Sequence, residues 1–423
     1  MAHGQLVTAD LPAALMTTVA LYHFWQFLKF GGKGRALLSA VTLGLSQLAK
    51  YSCIYLYPIF LVIAVLYVRS SPIGETGGSA LGQRVFQALR RWSVTTALFG
   101  AVSVLIINLG FGFDAIGTPL SGYAFKDPFF KKLQATPVLR NIPLLLPVPY
   151  LQGLDLIKYE ERMGIGWGNL YMAGKLRVNH HDGTLRGFPG YYFYAALFKV
   201  PIAKQVIFFA ALLGFLFQHG QRAAILRRDE LLLLVPIFVY WAYFNFFFNT
   251  QIGIRYVLPV FALATIFCGR LLADPVSKLS QFTALMLTVW VGVSTLSYYP
   301  HFLSYFNELV PDRKLAYRYL ADSNLDWGGN QWYLAEYIRC HPGVVVNPGK
   351  PQAGRIVVRV NALVGIGNPE RYRWLREHFK PADHIAYSFL VYDVKKEMLP
   401  QTAPDAKSQT ESFPPSAPVI AKR

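Results

Sequence analysis

Runs of about 18–20 mostly apolar residues, bounded by Lys or Arg, recur along the chain from Leu11 to Tyr299. No other feature limits the fold as much. A segment that crosses hydrocarbon must pair its own backbone N–H and C=O groups, and an α-helix does so. Eight spans can be drawn, at 11–28, 36–50, 51–68, 92–113, 201–218, 230–248, 253–272 and 281–299. The residue balance agrees, with 53% hydrophobic and only 15% charged side chains. The expected fold class is an α-helical polytopic membrane protein of about eight spans. The pair 36–68 also reads as one long helix with Lys50 inside it.

The connecting loops sort by charge. Loop 29–35 carries Lys29, Lys33 and Arg35, and loop 69–91 carries Arg69, Arg84, Arg90 and Arg91 against Glu75. Loop 219–229 carries Arg222, Arg227 and Arg228, and loop 270–280 carries Arg270 and Lys278. All four fall on one side, the cytoplasmic one by the positive-inside rule. The N-terminus, the long loop 114–200 and the C-terminal region then share the opposite face. In this setting the net charge of +18 marks loops, and nucleic acid is excluded as a partner. Cys53 and Cys268 sit in apolar runs and Cys340 stands alone, so no disulfide framework is expected. The opening "MAHGQLVTADLPAALM" lacks the basic start of a cleavable signal peptide.

Three regions follow: a membrane core over 1–299 with its external loop 114–200, a small α/β unit over 300–399 and a disordered tail over 400–423. Within the loop, "RNIPLLLPVPYLQGL" (140–154) is apolar but broken by prolines, which suits an interfacial or re-entrant segment better than a span. In the α/β unit, helical patterns fit 312–321, 328–340 and 369–379, and strand-like runs fit "RIVVRVNALV" and "HIAYSFLVYDV".

Asp10 is the only carboxylate before Glu75, at the outer end of the first span. With Pro12 just after it, Asp10 reads as a helix N-cap; the functional reading is a carboxylate that binds a metal, a sugar or an acceptor hydroxyl. Lys50 lies between two apolar runs and must either snorkel or line a polar cavity. Arg255 also falls at the outer end of a span, where positive-inside bias does not place it. A guanidinium fork there suits phosphate oxygens, and a structural ion pair with a loop carboxylate is the plainer alternative. Together the three residues point to a pocket for an anionic lipid head group at the outer face.

The segments "AHGQLVTADLPAALM", "LGLSQLAKYSCIYLYP", "YYFYAALFKVP", "IGIRYVLPVF" and "YFNELVPDRKLAYRYLADSNLDWGGNQ" occur in that order. They resemble bacterial members of the dolichyl-phosphate-mannose protein mannosyltransferase-like family, which are GT-C-class membrane glycosyltransferases. The likeness runs from Ala2 to about Asp393, and its most specific parts are "RYLADSNLDWG" and "GIRYVLP". It implies sugar transfer from a polyprenyl-phosphate donor to a protein, lipid or glycan acceptor at the external face of the bacterial inner membrane, with inversion. It implies that Asp10 is the second of two acids in such enzymes, and that Lys50 and Arg255, with Tyr256 beside it, face the carrier phosphate. Family members begin with further spans and a first external loop carrying a leading acid. This chain opens inside the second acidic motif, so it is expected to lack that region. The extra Gly of "LDWGGNQ" is a smaller departure.

The run that follows the last span would lie near the head groups. There Asp322, Asn324 and Asp326 are candidates for sugar or acceptor hydroxyls and Trp327 for stacking on a sugar ring; a structural turn with an interfacial Trp is the plainer alternative. Asn307 and His301 receive only a structural reading. Two further functions stay open: a transporter or lipid flippase, which favours inverted repeats and mid-span charges, and a non-catalytic remnant. The cofactor is unknown, with a divalent metal ion the open possibility.

Overall fold

A computed structural model describes residues 8–69, 78–164, 169–178, 186–217, 221–272 and 278–399, with Gly4, Leu6 and Thr184 besides. The expected disordered tail 400–423 lies outside these residues, as do 70–77, 218–220 and 273–277 of the basic loops. The chain is mostly helical. The first half holds α1 (Asp10–Phe30), α2 (Lys33–Ala49), α3 (Leu56–Arg69), α4 (Gly78–Gly110), α5 (Pro128–Ala135), α6 (Pro137–Arg140) and α7 (Val148–Met163). A hairpin, β1 (Asn169–Met172) and β2 (Lys175–Val178), precedes α8 (Tyr191–Lys199), α9 (Ile202–Phe217), α10 (Gln221–Phe246), α11 (Leu258–Cys268) and α12 (Lys278–Leu296).

Four of these stretches are long and apolar enough to cross a membrane: Ser93–Gly110, Asp229–Phe246, Ile254–Leu272 and Lys278–Leu296. The count rises to five if α8 and α9, which meet at a bend of 117°, form one broken span. Helices also cover the remaining expected spans, but each falls short in length or apolarity. The stretch 51–68 begins as a tight 3-10 turn, Tyr51–Tyr55, before α3. The alternative of one helix through 36–68 fails because Lys50 is extended, with φ −165°, and separates α2 from α3.

Glycines turn the chain between the first two helices. Gly31 and Gly32 both have positive φ, and the Gly31 N–H donates to Phe27 O at 2.9 Å. Next to this turn, Lys29 pairs with Asp229 at 2.5 Å and Trp25 Nε1 donates to the same carboxylate at 2.9 Å. Arg270 pairs with Glu230 at 2.9 Å. These contacts bring the far end of α1, the start of the apolar part of α10 and the end of α11 together. Three of the four basic loops therefore share one end of the bundle.

The C-terminal part contains α13 (Gln331–Cys340), β3 (Val345–Val346), β4 (Gly354–Arg359), α14 (Val360–Leu363), α15 (Arg373–His378), β5 (Asp383–Ile385) and β6 (Phe389–Val394). The strands form one sheet in the order β3-β4-β6-β5, with β3 parallel to β4 and the other pairs antiparallel. Strand "RIVVRVNALV" stops at Arg359 and turns into α14, and "HIAYSFLVYDV" is a hairpin rather than one strand. The helical pattern over 312–321 is a 3-10 turn, Arg313–Arg318.

Both faces of this sheet are covered. Val357, Phe389 and Val391 pack under Leu334 of α13, whereas Ile356, Val358, Leu390 and Tyr392 face the rest of the molecule. A sheet buried on both sides has no reason to alternate polar and apolar residues, and residues 356–358 of β4 and 389–392 of β6 are unbroken apolar runs. The second face joins a core that continues through Leu325, Leu320, Tyr317 and Phe306 to Phe24 in α1. The division expected after residue 299 is thus not a division of the hydrophobic interior.

Candidate functional site

Several chain ends converge at the side of the bundle opposite the Lys29 turn. They are the first residue of α1, the residue just past α2, the turn Ile254–Val257 that leads into α11, and the segment 322–327. Each brings one of the residues singled out from the sequence.

Asp10 opens α1 and is 3% exposed, but it does not cap the helix. The N-cap position is Ala9, and no side chain caps the helix by a hydrogen bond. The carboxylate instead accepts from Lys50 Nζ through Oδ1, while the Arg255 guanidinium approaches Oδ2 at 3.6 Å. Tyr256 lies beneath both cations, with Lys50 Nζ 4.6 Å and Arg255 Cζ 5.1 Å from its ring centroid. Arg255 also stacks on Trp327, at 3.9 Å from the ring centroid. Within this group one carboxylate faces two cations, and aromatic faces hold both cations in place. Two atoms of this group, Asp10 Oδ2 and Arg255 Nε, are buried without a hydrogen-bond partner among the described residues. Leaving such groups unpaired costs about 1–3 kcal/mol each, and a bound group with donors and acceptors of its own would satisfy both.

The segment 322–327 divides into binding candidates and scaffold. Asn324 belongs to the scaffold: Nδ2 donates to Tyr191 Oη at 2.9 Å and Oδ1 accepts from the Ile254 N–H at 3.1 Å. Lys199 Nζ holds its carbonyl at 2.6 Å. Asp326 is buried and tied to Arg359 Nε at 2.5 Å, with the Gly328 N–H donating to its other oxygen at 2.8 Å. These two side chains are consumed by packing, and they aim the backbone that carries Asp322 and Trp327. Asn307 is likewise structural, with Nδ2 donating to Leu197 O at 2.6 Å and Val200 O at 2.7 Å.

Asp322 is held differently. It has φ +59°, its N–H donates to Asn361 Oδ1 at 2.9 Å, and its own Oδ1 accepts from the Ser323 N–H at 2.6 Å. Burial pushes its carboxyl up to about 6 from the usual 3.8, against the pull of the Ser323 N–H and Arg255, with Asp326 adding to the rise. Between those two values the folded chain keeps a proton that the unfolded chain has lost, so stability falls as pH rises through that window and levels off above it. Asp322→Asn keeps a side chain that tolerates positive φ and removes the titration. The expected result is a melting temperature that changes less between pH 4 and pH 8 than in the unaltered protein, read by thermal unfolding in detergent.

Three residues at or near the site have no sequence signal. Arg359 and Asn361 reach it from the end of β4 and from α14, and nothing in an apolar strand run marks its last residue as a partner for Asp326. Glu161, on α7, accepts from the Asn249 N–H at 3.4 Å beside Tyr55 and Tyr243, and burial raises its carboxyl above the ordinary range. Its one available cue was its place in the long loop 114–200.

No protein-family model, curated protein or solved structure matches this chain. Among the described residues, no three or more His, Cys, Asp or Glu side chains form a group able to hold a metal ion. The donor set around Asp10 has cations where a metal would sit, so it suits an anion. The three cysteines are free.

Proposed function

We propose that this chain is a multi-pass membrane glycosyltransferase that moves a sugar from a polyprenyl-phosphate donor to an acceptor hydroxyl, with inversion. The reading takes in the finer fold: about eight GT-C-like spans with a C-terminal α/β unit, the basic loops in the cytoplasm and the site at the external face of a bacterial inner membrane. The acceptor is a protein, a lipid or a glycan. Two things support it: the resemblance of the ordered segments from Ala2 to Asp393, and the cluster of Asp10, Lys50 and Arg255. The cluster is the observation that carries the reading.

In an inverting transfer the acceptor oxygen attacks the anomeric carbon as the carrier phosphate leaves from the opposite side. The departing phosphate gains charge, and fixed cations stabilise that charge more than they stabilise the intact donor. Arg255 offers a planar fork, including the unpaired Nε, and its stack on Trp327 fixes the plane of that fork. Lys50 has three N–H donors, so its bond to Asp10 leaves donors for a phosphate oxygen. Asp10 Oδ2 is the acceptor for the incoming hydroxyl and its proton. Trp327 and Tyr256 offer ring faces to the sugar. A transporter or flippase would move the carrier without breaking its sugar–phosphate bond.

Lys50→Gln tests the reading. It keeps a polar side chain and removes one cation, so transfer from a labelled polyprenyl-phosphate sugar in proteoliposomes is expected to fall roughly tenfold to a hundredfold. An unchanged transfer rate would remove Lys50 from the mechanism. Carrier that crosses the bilayer with its sugar still attached would favour the transport reading instead.

A further inference from the structure

The part of the external loop that follows α4 is a small folded unit with an inside and an outside. Its inside is a cluster of Leu120, Tyr123 and Phe125, against which Phe130, Leu139 and Leu144 pack. Backbone bonds close it: the Gly117 N–H donates to Leu144 O at 2.8 Å, and the Leu144 N–H donates to Thr118 O at 3.2 Å. Asn108, two residues before the end of α4, donates to Leu145 O at 2.7 Å. The unit is therefore fastened to the outer end of a span.

Its outside is apolar where water would favour polar groups. Val138 is 79% exposed, Leu145 71% and Phe129 51%, and Ile142 is also open. Lys131, Lys132 and Arg140 are exposed on the same short helices. From Pro128 to Leu154 the sequence has no Asp or Glu. The acids at its two borders face inward. Asp155 accepts from the Lys126 and Asp127 N–H groups at 2.7 and 2.9 Å, and Asp127 caps α5 and pairs with Arg162 at 3.0 Å. The nearest exposed acids, Asp114 and Glu160, flank the segment. Open apolar side chains among uncompensated cations, fixed at a span's exit, match a surface lying in an anionic head-group layer.

We propose that residues 128–147 form an interfacial anchor: Phe129, Val138, Ile142 and Leu145 enter the outer lipid boundary, and Lys131, Lys132 and Arg140 pair with anionic head groups. The inference rests on the multi-pass reading. Its consequence is positional, because α7 follows directly and carries Glu161. The anchor thus sets the height of the external loop above the bilayer beside the Asp10 cluster.

A solvent-sensitive fluorophore on a single cysteine tests it. Val138→Cys is introduced into the full chain with Cys53, Cys268 and Cys340 replaced, and is reconstituted in phosphatidylcholine vesicles with or without phosphatidylglycerol. Lys350→Cys, at an exposed position of the C-terminal unit, serves as the control. The expected result is a blue-shifted emission at position 138, quenched by lipids with a shallow nitroxide and more strongly with phosphatidylglycerol present. The Lys131→Gln/Lys132→Gln pair is expected to abolish that extra quenching and leave the phosphatidylcholine value unchanged. A water-like emission at 138 in a chain that floats with the vesicles overturns the anchor, as does equal quenching at 350. Equal quenching in both lipids overturns the anionic pairing. A chain that fails to float after reconstitution overturns the multi-pass reading itself.

Discussion

Arg255→Ala is expected to lower sugar transfer by roughly a hundredfold to a thousandfold, the usual loss when one preorganised group is removed from a developing charge. The reasoning rests on what Arg255 alone supplies. Lys50 already spends a donor on Asp10, whereas Arg255 meets the carboxylate only at 3.6 Å and keeps Nε unpaired. It is also the only one of the two cations stacked on Trp327. Its loss would free that ring as well as remove a charge. Arg255→Lys separates the two contributions, since it restores the charge without the planar fork. If the fork matters, the lysine variant recovers only part of the rate. Single-turnover transfer, with donor affinity measured separately, distinguishes a lost leaving-group partner from a lost binding contact. A variant that transfers sugar at the original rate would mean that Arg255 is an ordinary structural ion pair.

The second large effect is expected far from any charge. Gly44, on α2, faces α4 so closely that an added Cβ would lie 2.8 Å from Ile106 Cδ1 and 3.2 Å from the Ser103 Cα. A side-chain tip can turn away, but a backbone atom on a neighbouring helix cannot. Small residues at such crossings let helices approach in lipid, where no hydrophobic force drives them together. Gly44→Leu is therefore expected to cost about 3 kcal/mol, the upper part of the overpacking range. It should appear as a lower midpoint for thermal unfolding in detergent, with Gly44→Ala falling between. Lys50 follows directly on α2, so a displaced helix also moves the ammonium relative to Asp10. Transfer should then decline before the fold is lost.

Much of the site was legible because apolarity and charge are local properties. The apolar runs are written in the residues themselves, although among the described residues only four helices are long and apolar enough to cross a membrane. Asp10, Lys50 and Arg255 each stood out as a charge at the end of a run. Helices alternating in direction then had to bring those ends to one side. What could not be read was anything made by a distant partner. The tie from Asp326 to Arg359 joins positions with no shared period, and the Asn361 contact that helps hold Asp322 in a left-handed conformation is of the same kind. Asp10 as an N-cap was a fair local guess, overruled by a lysine that only the bundle brings within reach. The two strand-like runs within 354–394 were recognised but not their ends. Burial on both faces erases the alternation that would mark the stop at Arg359 and the hairpin before Phe389.

The continuous core from Phe24 to Tyr392 has a bearing on how the protein is made. Synthesis runs from the N-terminus, so α1 to α12 are made before β4 and β6. Until those last strands arrive, Tyr317 and Leu320 have no completed cover. The packing around Tyr317 and Leu320 is therefore completed only once β6 has been made, and a nascent chain halted before β6 would leave that apolar surface open.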